Sequence, residues 1–195
     1  MDLIDPSNGY EAVAEAYIAG RGSGGTVGVA EVRQWAQTLP PGASVLDLGC
    51  GNGVPISQVL LDSGLIVYGV DASAKMIAAF RARFPTLLAE CSPVEVSSFF
   101  GRTFDGVVAW GLMFLLAPAS QELVIRKAAS VLSSGGRFLF TSPRQVTEWE
   151  DGMTGQLSVS LGAERYTQLL QAAGLTLVGE REDMGQNHYY LSVKA

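Results

Sequence analysis

The chain is poor in the residues that do most metal, disulfide and acid–base work. It has a single histidine, His188, and two cysteines, Cys50 and Cys91. Two cysteines make neither a disulfide framework nor a zinc site, so no metal is expected and a reducing, cytoplasmic setting is. Basic residues are scarce as well. There are 13 Lys and Arg against 19 Asp and Glu, and the net charge of -6 speaks against the basic face of a nucleic-acid groove. No run reaches the ~18 uninterrupted apolar residues of a membrane span. Met1-Asp2-Leu3-Ile4-Asp5 lacks the basic start and apolar stretch of a signal peptide. These absences leave a protein with a small-molecule partner, no nucleic acid and no membrane, as a monomer or homodimer.

What is present fits one domain with a sizeable core: 195 residues, 48% hydrophobic and 16% charged. Residues 10–19 have apolar side chains at helical spacing. A Gly-rich stretch runs from Arg21 to Gly28, and a second helical pattern from Val29 to Leu39 stops at Pro40-Pro41-Gly42. Strands are then expected at Ser44–Leu48, Leu65–Val70, Leu87–Cys91, Phe104–Trp110, Arg137–Thr141, Leu175–Glu180 and His188–Val193. Helices between them start near Pro55, Ser73, Ser120 and Gly162. Several strands are apolar throughout, as when helices cover both faces of a parallel sheet. The last two strands are only a few residues apart and must form an antiparallel hairpin. The segment Ser142–Ser160 reads as a polar, Gly-containing loop. The expected architecture is a three-layer α/β/α doubly wound, mostly parallel Rossmann-like sheet. Residues 1–41 form a helical cover and residues 42–195 the α/β core.

Val45-Leu46-Asp47-Leu48-Gly49-Cys50-Gly51-Asn52-Gly53 carries the most information. A buried strand ends in an acid and then three glycines at alternate positions, which lets backbone approach a ligand closely. The spacing is neither G-x-G-x-x-G nor a phosphate loop, and no lysine follows to meet a triphosphate. Asp47 would repel a pyrophosphate but accept hydrogen bonds from a cationic or hydroxylated ligand, a combination that points to S-adenosylmethionine (SAM). In Val67-Tyr68-Gly69-Val70-Asp71-Ala72-Ser73 a second apolar strand ends in Asp71, placed to accept both hydroxyls of a ribose. Ser73 can cap the next helix, so this order also has a structural reading. A fourth strand is led in by Thr103-Phe104-Asp105-Gly106. The run Leu132-Ser133-Ser134-Gly135-Gly136-Arg137 is a helix stop, a turn and the start of another strand.

In order and at these intervals, the four segments resemble the motifs of class I SAM-dependent methyltransferases. Ser134 stands where that family commonly has proline. The N-terminal YEAVAEAY resembles the helix that covers the cofactor in small-molecule members. The resemblance implies a seven-stranded sheet with the last strand antiparallel. It also implies a set of site residues. Asp47, Gly49, Cys50 and Gly51 would line the methionine end of SAM. Asp71, followed by Ala72, would take the ribose. Val94 and Glu95 would meet the adenine, with Ser92 as the alternative. Tyr10, Tyr17 and Arg21 would close over the cofactor, and Trp110 would meet cofactor and substrate. Trp149 and Met153 could form an apolar wall, and Glu148, Glu150 and Asp151 could attract a cation.

No general base stands out. The candidates for catalytic work are Trp110 and His188, and each also has a structural reading, as a core aromatic and a hydrogen-bonding side chain. The reaction expected is transfer of a methyl group from SAM to a small-molecule acceptor by in-line displacement. A SAM-binding regulatory protein without catalysis is the alternative. An NAD-type oxidoreductase is disfavoured by the glycine spacing and by Asp47.

Overall fold

Apolar runs flanked by glycine turns and amphipathic stretches fold into strands and helices that alternate along most of the chain. The computed structural model describes residues 5–21 and 27–195. In chain order the elements are α1 (Tyr10–Arg21), α2 (Val29–Ala36), β1 (Ser44–Leu48), α3 (Ile56–Asp62), β2 (Ile66–Asp71), α4 (Ala74–Arg83), β3 (Leu88–Cys91), β4 (Phe104–Ala109), α5 (Pro118–Val131), β5 (Leu132–Thr141), β6 (Val146–Glu150), β7 (Leu157–Leu161), α6 (Ala163–Ala172), β8 (Leu175–Glu182) and β9 (His188–Lys194). Among the described residues no helix is long and apolar enough to cross a membrane.

Seven strands form one sheet in the order β3-β2-β1-β4-β5-β9-β8. β1 to β5 pair in parallel, and β9 runs antiparallel to both β5 and β8. The order reverses between β1 and β4, the place where sheets of this kind open a crevice at the carboxyl ends of their strands. Side chains alternate across the sheet. Val45, Val67, Val108 and Leu139 pack under α2 and α3, while Leu46, Val107, Phe138 and Phe140 pack under α5 and α6. Ile77 and Phe80 of α4, with Phe84 just past its end, enclose the Cys50 side chain beside the glycine loop. The expected three-layer Rossmann-like sheet with an antiparallel last strand is the fold observed.

Two expectations need correction. The segment Ser142–Ser160 is not an open loop, because β6 and β7 pair antiparallel as a separate hairpin. Its pattern is inverted: in Leu157-Ser158-Val159-Ser160-Leu161 the serines are buried and Leu157 is exposed. Ser160 turns towards a polar cluster that an apolar-in template misses, while the Ser158 hydroxyl is buried with no hydrogen-bond partner among the described residues. Ser160 Oγ donates to the Pro143 carbonyl at 2.6 Å, Ser142 and Tyr166 hydroxyls lie 2.8 Å apart, and Tyr166 donates to Gln121 Oε1 at 2.6 Å. Gln121 in turn donates to the carbonyls of Leu116 and Val159, tying the hairpin to α5 and α6. The second correction is that β4 ends at Ala109. Trp110 begins a turn, and the apolar run Leu112–Leu116 forms a single 3₁₀ turn, Met113–Leu115, at the head of the sheet.

Candidate functional site

The glycine loop takes its shape from backbone that only glycine adopts without strain. Gly49, Gly51 and Gly53 all have positive φ, and a Cβ on Gly53 would lie 2.4 Å from the Phe84 ring. The loop thus turns sharply between β1 and α3 and packs flat on the α4 aromatics. Asp47 and Asp71 flank it at the ends of adjacent strands.

Asp47 is buried, and its Oδ2 accepts a 2.6 Å hydrogen bond from Ser57 Oγ. Burial pushes its carboxyl up to about 7; the nearby Asp71 charge acts in the same direction and the Ser57 hydrogen bond against it. Asp71 accepts the Gly51 N–H at Oδ2 and the Ser73 N–H at Oδ1, both at 2.8 Å. Burial raises its carboxyl too, against those two hydrogen bonds. Ser73 caps α4 by accepting the Met76 N–H, so Asp71 both shapes the turn and faces the crevice. Each Asp71 oxygen accepts one of these hydrogen bonds and so retains accepting capacity.

Two adjoining cavities open here. The larger, ≈ 210 Å³, brings together Gly49, Gly51, Asp71, Ala72, Val94 and Glu95, with Tyr10, Tyr17 and Trp110. The smaller, ≈ 20 Å³, is lined by Asp47, Gly49, Cys50 and Val54, with Tyr17 and Trp110 shared between the two. Among the described residues no Lys, Arg or His lines either cavity. The Cys50 thiol is pushed well up by burial, then by Asp47 and Asp71.

Other elements hold this lining in place. Lys127 of α5 donates to the carbonyls of Val94, Glu95 and Ser97 at 2.7, 2.9 and 2.8 Å, fixing the segment after β3. Trp110 Nε1 donates to the Tyr189 hydroxyl at 2.9 Å, and that hydroxyl donates to Asp183 Oδ2 at 2.7 Å. On the other side of Trp110 a Cβ at Gly28 would lie 2.6 Å from the indole nitrogen. The indole is therefore clamped between the start of α2 and Tyr189 of β9, which Asp183 of the β8–β9 turn holds in place.

The roof comes from two elements distant in sequence. Glu11 Oε2 in α1 accepts the Ser73 hydroxyl at 2.6 Å and the Lys75 N–H at 3.1 Å, docking α1 on the start of α4. Those hydrogen bonds lower the Glu11 carboxyl. Tyr10 donates to Asp151 Oδ2 at 3.3 Å, and a Cβ at Gly9 would lie 2.9 Å from Thr154. Helix α1 and the β6–β7 hairpin thus meet over the cavity.

Several expected residues lie elsewhere. His188 sits against Glu180, with Nε2 3.0 Å from Oε1, and edge-on to Tyr190; it lines neither cavity. Ser92 is also outside both. Trp149 packs behind the lining on Phe114, and Met153 is exposed. Helix α1 ends at Arg21, whose side chain lies outside the described residues. Sequence reading missed Asn8, Leu112, Phe114, Leu115 and Asn187 in the lining. The run Leu112–Leu116 could have been found, because apolar residues just past the carboxyl end of a strand face the crevice.

Residues 45–136 match the family described as a methyltransferase domain. The chain is 34% identical over 111 residues to a carboxy-S-adenosyl-L-methionine synthase from Campylobacter fetus subsp. fetus (strain 82-40), covering 54% of this chain and 47% of that protein. It is 30% identical over 179 residues to a cypemycin N-terminal methyltransferase from Streptomyces sp, covering 88% of this chain and 71% of that one. The chain spans less than half the length of the first three curated relatives it matches. Among solved structures, a magnesium protoporphyrin IX methyltransferase from Synechocystis PCC 6803 with bound SAM superposes with a TM-score of 0.77 at 16% identity. That match covers 100% of this chain and 99% of the other, a likeness of fold.

Proposed function

The chain belongs to the class I SAM-dependent methyltransferases, and on that premise we propose that it transfers a methyl group from SAM to a small-molecule acceptor in the cavity at the head of β1, β2 and β4. The observation that carries this reading is a pair of carboxylates, buried Asp47 and half-buried Asp71, on either side of the glycine loop, each raised by desolvation. A buried anion calls for a cation or several donors, and no basic side chain among the described residues lines the cavities.

SAM supplies both kinds of partner, and the residues present fit it. Asp47 would receive the ammonium of its methionine end, with Gly49 and Gly51 offering bare backbone. Asp71 would accept the ribose hydroxyls. The Val94 N–H would meet a ring nitrogen of the adenine and Glu95 its amino group, on the segment that Lys127 holds. Tyr17 and Trp110, shared by both cavities, would flank the reacting end. Bound there, the cofactor supplies an electrophilic methyl carbon. The protein's part is to fix the acceptor in line with it and exclude water under the roof of α1 and the β6–β7 hairpin.

The reading extends to a cytoplasmic protein, a monomer or homodimer, with residues 1–41 as a cover on the core of residues 42–195. The net charge of -6 supports an acceptor other than nucleic acid. Incubation with methyl-labelled SAM and a pooled small-molecule extract tests the proposal. Label should pass into a low-mass product only when the protein is present. Tight SAM binding with no transfer to any pool would favour a regulatory SAM-binding protein instead.

A further inference from the structure

Resting on that reading of the cavity, we propose that the methyl acceptor is an amine, held as its ammonium by Asp151 against the rings of Tyr10 and Phe114.

The Asp151 carboxylate is fixed before any ligand arrives. Its Oδ1 accepts the N–H of Met153 at 3.0 Å, the N–H of Thr154 at 2.9 Å and the Thr154 hydroxyl at 3.1 Å. This leaves Oδ2 turned towards Tyr10, whose hydroxyl reaches it at 3.3 Å, with a lone pair to spare. Asp151, Tyr10 and Phe114 all line the larger cavity, and Phe114 is backed by Trp149 at 5.4 Å between ring centroids. A rigid carboxylate among aromatic faces is an arrangement that attracts an ammonium twice, by charge and by the ring quadrupoles.

The same wall discriminates against the other acceptors. Carboxylate or phosphate acceptors would meet Asp151 and Glu95, with no Lys or Arg among the described lining residues to offset them. Phenol, alcohol and thiol acceptors bring no positive charge to offset Asp151 and Glu95, so the wall favours an ammonium over them at the binding step. The bound ammonium gives one proton to solvent, and the nitrogen lone pair forms the N–C bond as the S–C bonding pair returns to sulfur. The product leaves as an N-methylammonium, so charge on nitrogen beside Asp151 is restored.

The test uses the intact protein saturated with S-adenosylhomocysteine (SAH), titrated with three probes on one skeleton: phenethylamine, 2-phenylethanol and phenylacetate. The amine should bind at least about tenfold more tightly than the alcohol, the scale of one charge-assisted hydrogen bond, and phenylacetate should bind least. Asp151→Asn keeps an oxygen for the hairpin turn. It should cost the amine about tenfold while leaving SAH and alcohol affinity unchanged. The proposal is overturned if the alcohol or the acid equals the amine, if none of the three binds, or if Asp151→Asn leaves amine affinity intact. The three-probe comparison stands without the variant. Failure to bind SAH in the first titration would overturn the underlying reading, separately and before any amine is added.

Discussion

The backbone N–H of Gly51 donates to Asp71 Oδ2 at 2.8 Å, so the glycine loop after β1 is tied to the last residue of β2. One carboxylate therefore sets the loop and presents its remaining lone pairs to the cavity. Asp71→Ala should weaken SAH binding at least tenfold, since hydrogen bonds to a charged group contribute about 1.5–3 kcal/mol each. Calorimetry, with circular dichroism as the check on folding, measures it. Unchanged affinity in a folded variant would refute the ribose assignment.

Asp47 gives a pH dependence whose sign follows from its burial. Its carboxyl titrates at about 7 in the fold against 3.8 when exposed. The ligand-free fold therefore binds more protons than the unfolded chain between those values. The contribution of this group to stability is largest below pH 4 and falls as the pH rises through 7, by on the order of 4 kcal/mol. Asp47→Asn should flatten that slope in denaturant titrations at pH 5 and pH 8. SAH affinity should rise with pH up to about 7 in the parent and stay flat in the variant.

Helix α1 hangs on Glu11, which accepts from Ser73 and Lys75 at the start of α4. Glu11→Ala should leave the core intact and loosen the cover. Amide exchange across α1 should quicken by on the order of tenfold, the consequence of losing about 1–1.5 kcal/mol of local hydrogen bonding. SAH should dissociate faster from this variant. Exchange unchanged in α1 would remove Glu11 from this role.

The two cysteines should respond differently to a thiol reagent. Cys91 is exposed, whereas Cys50 is buried among Ile77, Phe80 and Phe84 with its thiol pushed well up by burial. Native protein should react once and promptly, and Cys91→Ser should abolish that reaction. Cys50 should react at least about 100-fold more slowly, gated by opening of the fold.

The sheet was legible because its central strands are largely apolar and bounded by turn residues, and Ser44–Leu48 was read to the residue. Asp47 and Asp71 were legible as cavity residues because each stands at or next to the end of an apolar strand, where the crevice must lie. The roof was not. The β6–β7 hairpin buries Ser158 and Ser160 and exposes Leu157, the reverse of the pattern that identifies half-buried strands. Tyr10 and Asp151 stand 141 positions apart, and only the folded chain brings them together. Trp110 was legible as a residue of the cavity wall but not in its setting, because its partner Tyr189 comes from the antiparallel strand β9.

The most direct test of the account is calorimetry of the unmodified protein with SAH and NAD side by side. If Asp47 and Asp71 frame a SAM pocket, SAH binds one to one and NAD does not bind. Tight binding of NAD with none of SAH would contradict it.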